Sequence, residues 1–245
     1  METILEVCCG SYSDARTAYE AGAKRIELNS ALAVDGLTPT VSCLRMIKRK
    51  TNLEVNCMVR PRGAGFFYDR FDCEQMVHEA RDLLENGADG IVFGYLDEDM
   101  TLNNLRIFEM TALVHSYGKR AIFSRAFDVL DDPMYNIEVL IDAGCDGLLT
   151  SGCRRTAEEG IETIARMNKK YGHFIEIVAG SGVNEHNVRS IVETTGVHVV
   201  HSSCKTFVPD VTTSSQNVSF AYRGDEYQHV CADKVREMLQ VMKAE

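Results

Sequence analysis

Four short stretches of the chain repeat one pattern of apolar and turn positions: AGAKRIEL at 21–28, NGADGIVF at 86–93, AGCDGLLT at 143–150 and TGVHVVHS at 195–202. In each, a helical run stops at a glycine (Gly22, Gly87, Gly144, Gly196) and an apolar strand begins two or three residues later. Glycine supplies the left-handed conformation that ends a helix. The strands are near-continuous apolar runs, the pattern of a parallel sheet buried on both faces. The glycines stand 65, 57 and 52 residues apart, which is room for two strand–helix units per repeat. Intermediate strands read as ILEVCC (4–9), LEVNCMV (53–59), RAIFSR (120–125) and FIEIVAG (174–180), bringing the total to eight. Helical runs are predicted near 13–21, 40–50, 73–86, 103–117, 133–143, 156–171, 185–194 and 227–243.

Eight alternating units in 245 residues predict an α/β protein, a (β/α)8 TIM barrel forming a single domain over 1–245. An open doubly wound sheet is the alternative that periodicity leaves standing. No GxGxxG follows the first strand, which counts against the dinucleotide-binding form of that sheet. The segment 204–226, CKTFVPDVTTSSQNVSFAYRGDE, breaks the pattern. It is predicted to be irregular, a lid or flank over the top of the barrel ahead of a C-terminal helix.

Composition changes the picture only at the margins. A hydrophobic fraction of 45% and a charged fraction of 25% are ordinary for a chain with a sizeable core. The start, METILEVCCG, does not read as a signal peptide, and no apolar run reaches the roughly 18 residues of a membrane span. A cytoplasmic protein with no membrane partner is expected. Nine scattered cysteines without a CxxC pair fit small buried hydrophobes in a reducing compartment. A net charge of −10 with no basic tract argues against nucleic acid.

In such a barrel, chemistry gathers where strands end and the following loops begin. Those junctions carry Glu6 and Cys8, Glu27 and Asn29, Arg60 and Arg62, Ser124, Arg125 and Asp128, Thr150 and Ser151, and His201 and Ser203. Alternation along a strand puts Glu6 on one face with Cys8, and Glu27 with Asn29. If those faces point inward, acid, base and cation converge. The candidates for a ligand or acid/base site are Glu27, Arg60, Arg125, Asp128 and His201. Gly180, Ser181 and Gly182 form a candidate anion cradle, since N–H groups ahead of a helix bind phosphate or carboxylate. Each has a plainer alternative: Glu27 as half of an internal ion pair, Arg60 as a solvated loop residue, His201 as a core histidine, the glycine loop as a simple turn. Zinc spacings such as HExxH are absent, and Cys8 and Met58 are the sulfurs near the mouth. No lysine ends an apolar strand, which argues against a Schiff-base aldolase.

The runs LEVCC, RIELNSALAVDGLTPT, VNCMVRPRGAGFFYD, DGIVFGYLDED, FSRAFD, LLTSG, VAGSGVNEHNV and VVHSS resemble, in order, those of the CutC family of copper-homeostasis proteins. The resemblance covers Glu6 to Ser203 and implies a cytosolic (β/α)8 barrel, homo-oligomeric and able to bind Cu(I). It also implies Cys8 as a metal ligand, with a second Cys at the end of RIELC. Here that second position is Asn29, a poor Cu(I) ligand. The family's FHRAFD reads FSRAFD with Ser124, and its PGGG reads AGSG at 179–182. Its Glu27, Arg60, Arg62, Arg125, Asp128 and His201 positions are kept. Two functions are therefore expected: a copper-binding protein, or an enzyme or binder for a small anionic or sugar-like molecule. In the second, Glu27 or His201 is the acid/base group and the arginines clamp the anion.

Overall fold

The computed structural model describes residues 3–220 and 224–243. Strands β1 (Ile4–Cys9), β2 (Arg25–Leu28), β3 (Glu54–Met58), β4 (Gly90–Phe93), β5 (Arg120–Phe123), β6 (Gly147–Thr150), β7 (Glu176–Ala179) and β8 (Val199–Ser202) pair in parallel in that order. β8 then pairs with β1, so the chain is a closed (β/α)8 barrel and not an open sheet. Helices α1 (Tyr12–Glu20), α2 (Val41–Lys50), α3 (Arg70–Glu85), α4 (Asn104–Ser116), α5 (Pro133–Asp142), α6 (Ile161–Tyr171) and α7 (Val188–Thr195) connect consecutive strands. A last helix, α8 (Ala232–Lys243), follows the barrel. The four repeat glycines all have positive φ, from 67° at Gly196 to 104° at Gly22. No described helix is long and apolar enough to cross a membrane.

Outward strand residues such as Val7, Ile26, Val55, Ile91 and Phe123 are buried under the helices in one continuous core. The inner wall is divided. Met58, Val92 and Ile122 form one apolar patch on β3–β5, and Leu149, Val178 and Val199 form another on β6–β8. Between them the wall is polar, with Glu6, Arg25, Glu27 and Asn56 all buried. Buried charge needs partners. At the amino ends of the strands, Arg25 pairs with Glu54 at 3.0 Å and Glu176 at 2.9 Å, and Arg120 joins the same two carboxylates. Glu27 stands outside that ring.

Two segments depart from the periodicity. Residues 205–209 and 226–230 form strands β9 (Lys205–Pro209) and β10 (Glu226–Val230), paired antiparallel. The foot of this hairpin is held by Asp14 of α1, whose Oδ1 accepts from Val230 N at 2.9 Å and pairs with His229 Nδ1 at 2.7 Å. The C-terminal helix, expected from 227, consequently starts at Ala232. Helix α6 starts at Ile161, not 156, because the chain after β6 folds back on itself. A Cβ at Gly160 would stand 1.9 Å from the Ser151 carbonyl oxygen.

Candidate functional site

Strand register assembles the site. β1 pairs with β8 so that Glu6 lies beside His201, and with β2 so that Cys8 lies beside Glu27. The alternation of side chains then turns all four inward. Cys8 Sγ, a Glu27 carboxylate oxygen and a His201 ring nitrogen lie within 4.8 Å of one another, the one such group of potential metal donors among the described residues. Behind them, Glu6 Oε1 meets His201 Nδ1 at 2.9 Å, and Asn56 Nδ2 donates to Glu6 Oε2 at 2.7 Å. Holding Nδ1 in this way fixes the ring and leaves Nε2 for the mouth.

Asn29 ties two of the donors together. Its Nδ2 donates to Glu27 Oε1 at 2.7 Å and reaches Cys8 Sγ at 3.6 Å. Its Oδ1 packs against Gly36, where a Cβ would stand 2.4 Å away and φ is +86°. Glu27 Oε2 is buried and has no hydrogen-bond partner. An orphaned buried carboxylate oxygen is costly, and a proton, a water or an ion at that atom would offset the cost.

The two buried carboxylates titrate in opposite directions. Burial works against ionisation of Glu6, but the hydrogen bond and charge of His201, then Asn56 and Arg25, outweigh it and lower its pKa. Glu27 is raised by burial and by the Glu6 charge, against the opposing pull of His201 and Asn29. Burial also raises the Cys8 thiol, more than His201 lowers it. For His201 burial favours the neutral ring, yet the bonds to Cys8 and Glu6 and the Glu27 charge raise its pKa well above the usual value.

Cys8, Glu27, Asn29 and His201 open on a cavity of about 330 Å³ at the carboxyl ends of the strands, lined also by Met58, Arg60, Phe66, Ser124, Arg125 and Asp128. Leu32, Asp35, Ala64, Val129 and Leu149 complete the lining. The arginines differ in what they offer. Arg60 is buried and its guanidinium donates to the carbonyls of Val34, Gly36 and Ala64 while lying over the Phe66 ring. Arg62 turns away from the mouth, pairing with Asp72 at 2.9 Å over the Tyr68 ring. Arg125 pairs through Nε with Asp128 at 2.7 Å, and its Nη2 donates to Ser151 Oγ. Asp128 also accepts from Thr150 Oγ1 and from the amides of Ser151 and Cys153.

Gly180, Ser181 and Gly182 do not line this cavity. Gly180 N donates to Thr150 O, Ser181 O accepts from Ala157 N, and Gly182 O accepts from the Asn184 and Asn187 side chains. Helix α7 begins only at Val188. Glu6 and Asn56 are the supporting residues that sequence reading did not identify as such. Their role depends on the closure of β8 on β1, which joins residues 195 positions apart.

The sequence model of the CutC family matches residues 3–206. The chain belongs to the CutC family. A CutC family protein of Treponema denticola is 42% identical over 91% of this chain and 89% of its own length. The human copper homeostasis protein cutC homolog is 35% identical over 82% of this chain and 73% of its own. The crystal structure of a putative copper homeostasis protein CutC from Streptococcus agalactiae superposes with a TM-score of 0.77 at 26% identity, covering 82% of this chain and 98% of that one. Beyond CutC, 3-hexulose-6-phosphate synthase from Salmonella typhimurium shares the barrel, with a TM-score of 0.61 at 17% identity, a likeness of fold alone.

Proposed function

We propose that this CutC member binds a metal ion at the mouth of its barrel through Cys8, Glu27 and His201, and that the copper role in its relatives' names runs through that site. The reading is carried by one observation: a thiol, a carboxylate and an imidazole from three strands converge within 4.8 Å around a buried Glu27 oxygen that no protein group satisfies. Thiolate and imidazole suit copper and zinc, and a carboxylate adds affinity for the divalent ions. Three protein donors facing a cavity leave room for a further ligand. Glu6 behind His201 is the kind of outer partner that aligns a ligating imidazole. A cytosolic setting fits nine cysteines that are all unpaired.

For Cu(I) the donor set is thinner. The soft groups are Cys8 and the thioether of Met58 on the cavity wall, and an amide, Asn29, bridges Cys8 and Glu27 where a second thiolate would serve better. Anaerobic competition against a Cu(I) chelator, and separately against a Zn²⁺ chelator, tests the site. Wild type should bind either ion, and Cys8→Ser should lose both. Asn29→Cys should tighten Cu(I) by about tenfold or more, the worth of about 1.4 kcal/mol. Tight binding that survives Cys8→Ser overturns the reading.

A further inference from the structure

The three donor groups occupy one wall of the mouth, on β8, β1 and β2. In a closed ring of eight, β5 stands opposite β1, and the chain leaving β5 supplies Ser124, Arg125 and Asp128 to the same cavity. The intervening 330 Å³ exceeds what an ion needs. At about 30 Å³ per water it equals on the order of ten waters, and it falls in the range of small-molecule sites. Arg60 has committed its terminal nitrogens to backbone carbonyls and Arg62 faces elsewhere. Arg125 is the arginine that the wall still presents, with a side chain 40% exposed. Asp128, itself 6% exposed, fixes Arg125 through Nε, so the guanidinium is held in orientation before any ligand arrives.

One preset guanidinium, with no glycine-loop amides in the lining, matches a single carboxylate better than a phosphate dianion. The rest of the lining suits hydroxyl groups, with Ser124 and Asp35 offering donors and acceptors. Phe66 supplies a flat apolar wall for the C–H face of a sugar. We infer that this cavity is the receptor for a sugar acid, a polyhydroxylated monocarboxylate with about a dozen non-hydrogen atoms, whose carboxylate sits on Arg125. Arg125 lies on the wall opposite the metal donors, so the sugar acid would bind with or without an ion at Cys8, Glu27 and His201.

The test is calorimetric titration of metal-free protein with gluconate and glucuronate, alongside glucose and inorganic phosphate. At least one of the two acids should bind at millimolar concentration, with glucose and phosphate each about tenfold weaker or more. Arg125→Met should weaken the acid by about tenfold or more, since charge-assisted hydrogen bonds are lost. Arg125→Lys should recover part of the loss, and Arg62→Met should change nothing. A single cooperative unfolding transition well above the titration temperature shows that the fold of each variant has survived, even where the lost Asp128 or Asp72 pair lowers its Tm. No binding of either acid, tighter binding of phosphate, or an Arg125→Met variant that binds as wild type does would overturn the inference. None of these outcomes touches the metal reading, which stands or falls on the chelator titrations.

Discussion

Replacing Arg60 by Met separates two roles that an arginine at a strand end can play. An anion clamp held among like charges is suboptimal for stability, so its removal from ligand-free protein would hold or raise the melting temperature. Arg60 instead spends its guanidinium on the Val34, Gly36 and Ala64 carbonyls, in a loop where Ala31 and Asp35 both have positive φ. Arg60→Met should therefore cost about 2–4 kcal/mol, because buried acceptors lose charged donors. In a domain of this size each kcal/mol moves Tm by about 2–4 °C, so thermal unfolding should show a fall of several degrees. A Tm equal to or above wild type would return Arg60 to the role of clamp. Glu6 has the complementary part. It touches no ligand itself, but it holds His201 Nδ1 at 2.9 Å. Glu6→Gln should weaken Zn²⁺ about 10–100-fold, as loss of an outer partner does, with Cys8 and His201 still in place. Equal affinity in the variant would mean that the ring needs no such support.

The repeated segments have a physical content that their spelling only hinted at. Asp89 in NGADG and Asp146 in AGCDG each follow a left-handed glycine by two residues. Each carboxylate accepts an amide of the preceding strand, Val55 N at 2.9 Å and Ala121 N at 2.7 Å. Glycine and aspartate together thus end a helix and tie the start of one strand to the next, a local device that a one-dimensional pattern can record. The β9–β10 hairpin left no such trace, because Lys205 pairs with Val230 across a long polar segment and the anchor is Asp14, far back on α1. Asp89 also pairs with Lys48. Burial opposes its charge, but Lys48, the Val55 amide and Lys119 prevail and lower its pKa. A lowered folded-state pKa gives stability above the unfolded value, about 3.9 for Asp, which is lost as pH falls through the folded value. Asp89→Asn should therefore melt below wild type at pH 7. The gap should close as the pH drops below about 3.9 and on through the lower folded value. A gap that persists unchanged into strong acid would show that shape, not charge, matters at this position.

On the scale of the whole molecule, eight strands were countable from apolar runs and glycines, but closure was not. Closure is what makes the site: it sets Glu6 beside His201 and leaves the donors on β8, β1 and β2, astride the seam between the first and last strands. Arg62 shows the other limit, since whether a strand-end arginine turns inward depends on Asp72 and Tyr68 beyond the next turn. An ion held by Cys8, Glu27 and His201 would join β8 to β1 and β2, donors that are brought together only in the folded chain. At a hundredfold excess of free ion over Kd, linkage adds about 2.7 kcal/mol of stability, roughly 5–10 °C in Tm for this size of domain. Zn²⁺ is the suitable probe because it has no redox chemistry. With nine cysteines in the chain, off-site thiols set the necessary control: Cys43→Ser, altering a half-buried thiol on α2, should keep the full shift. Cys8→Ser and His201→Gln should lose most of it, each measured against its own metal-free Tm. If all three variants shift as wild type does, the ion binds elsewhere and the seam carries no metal site.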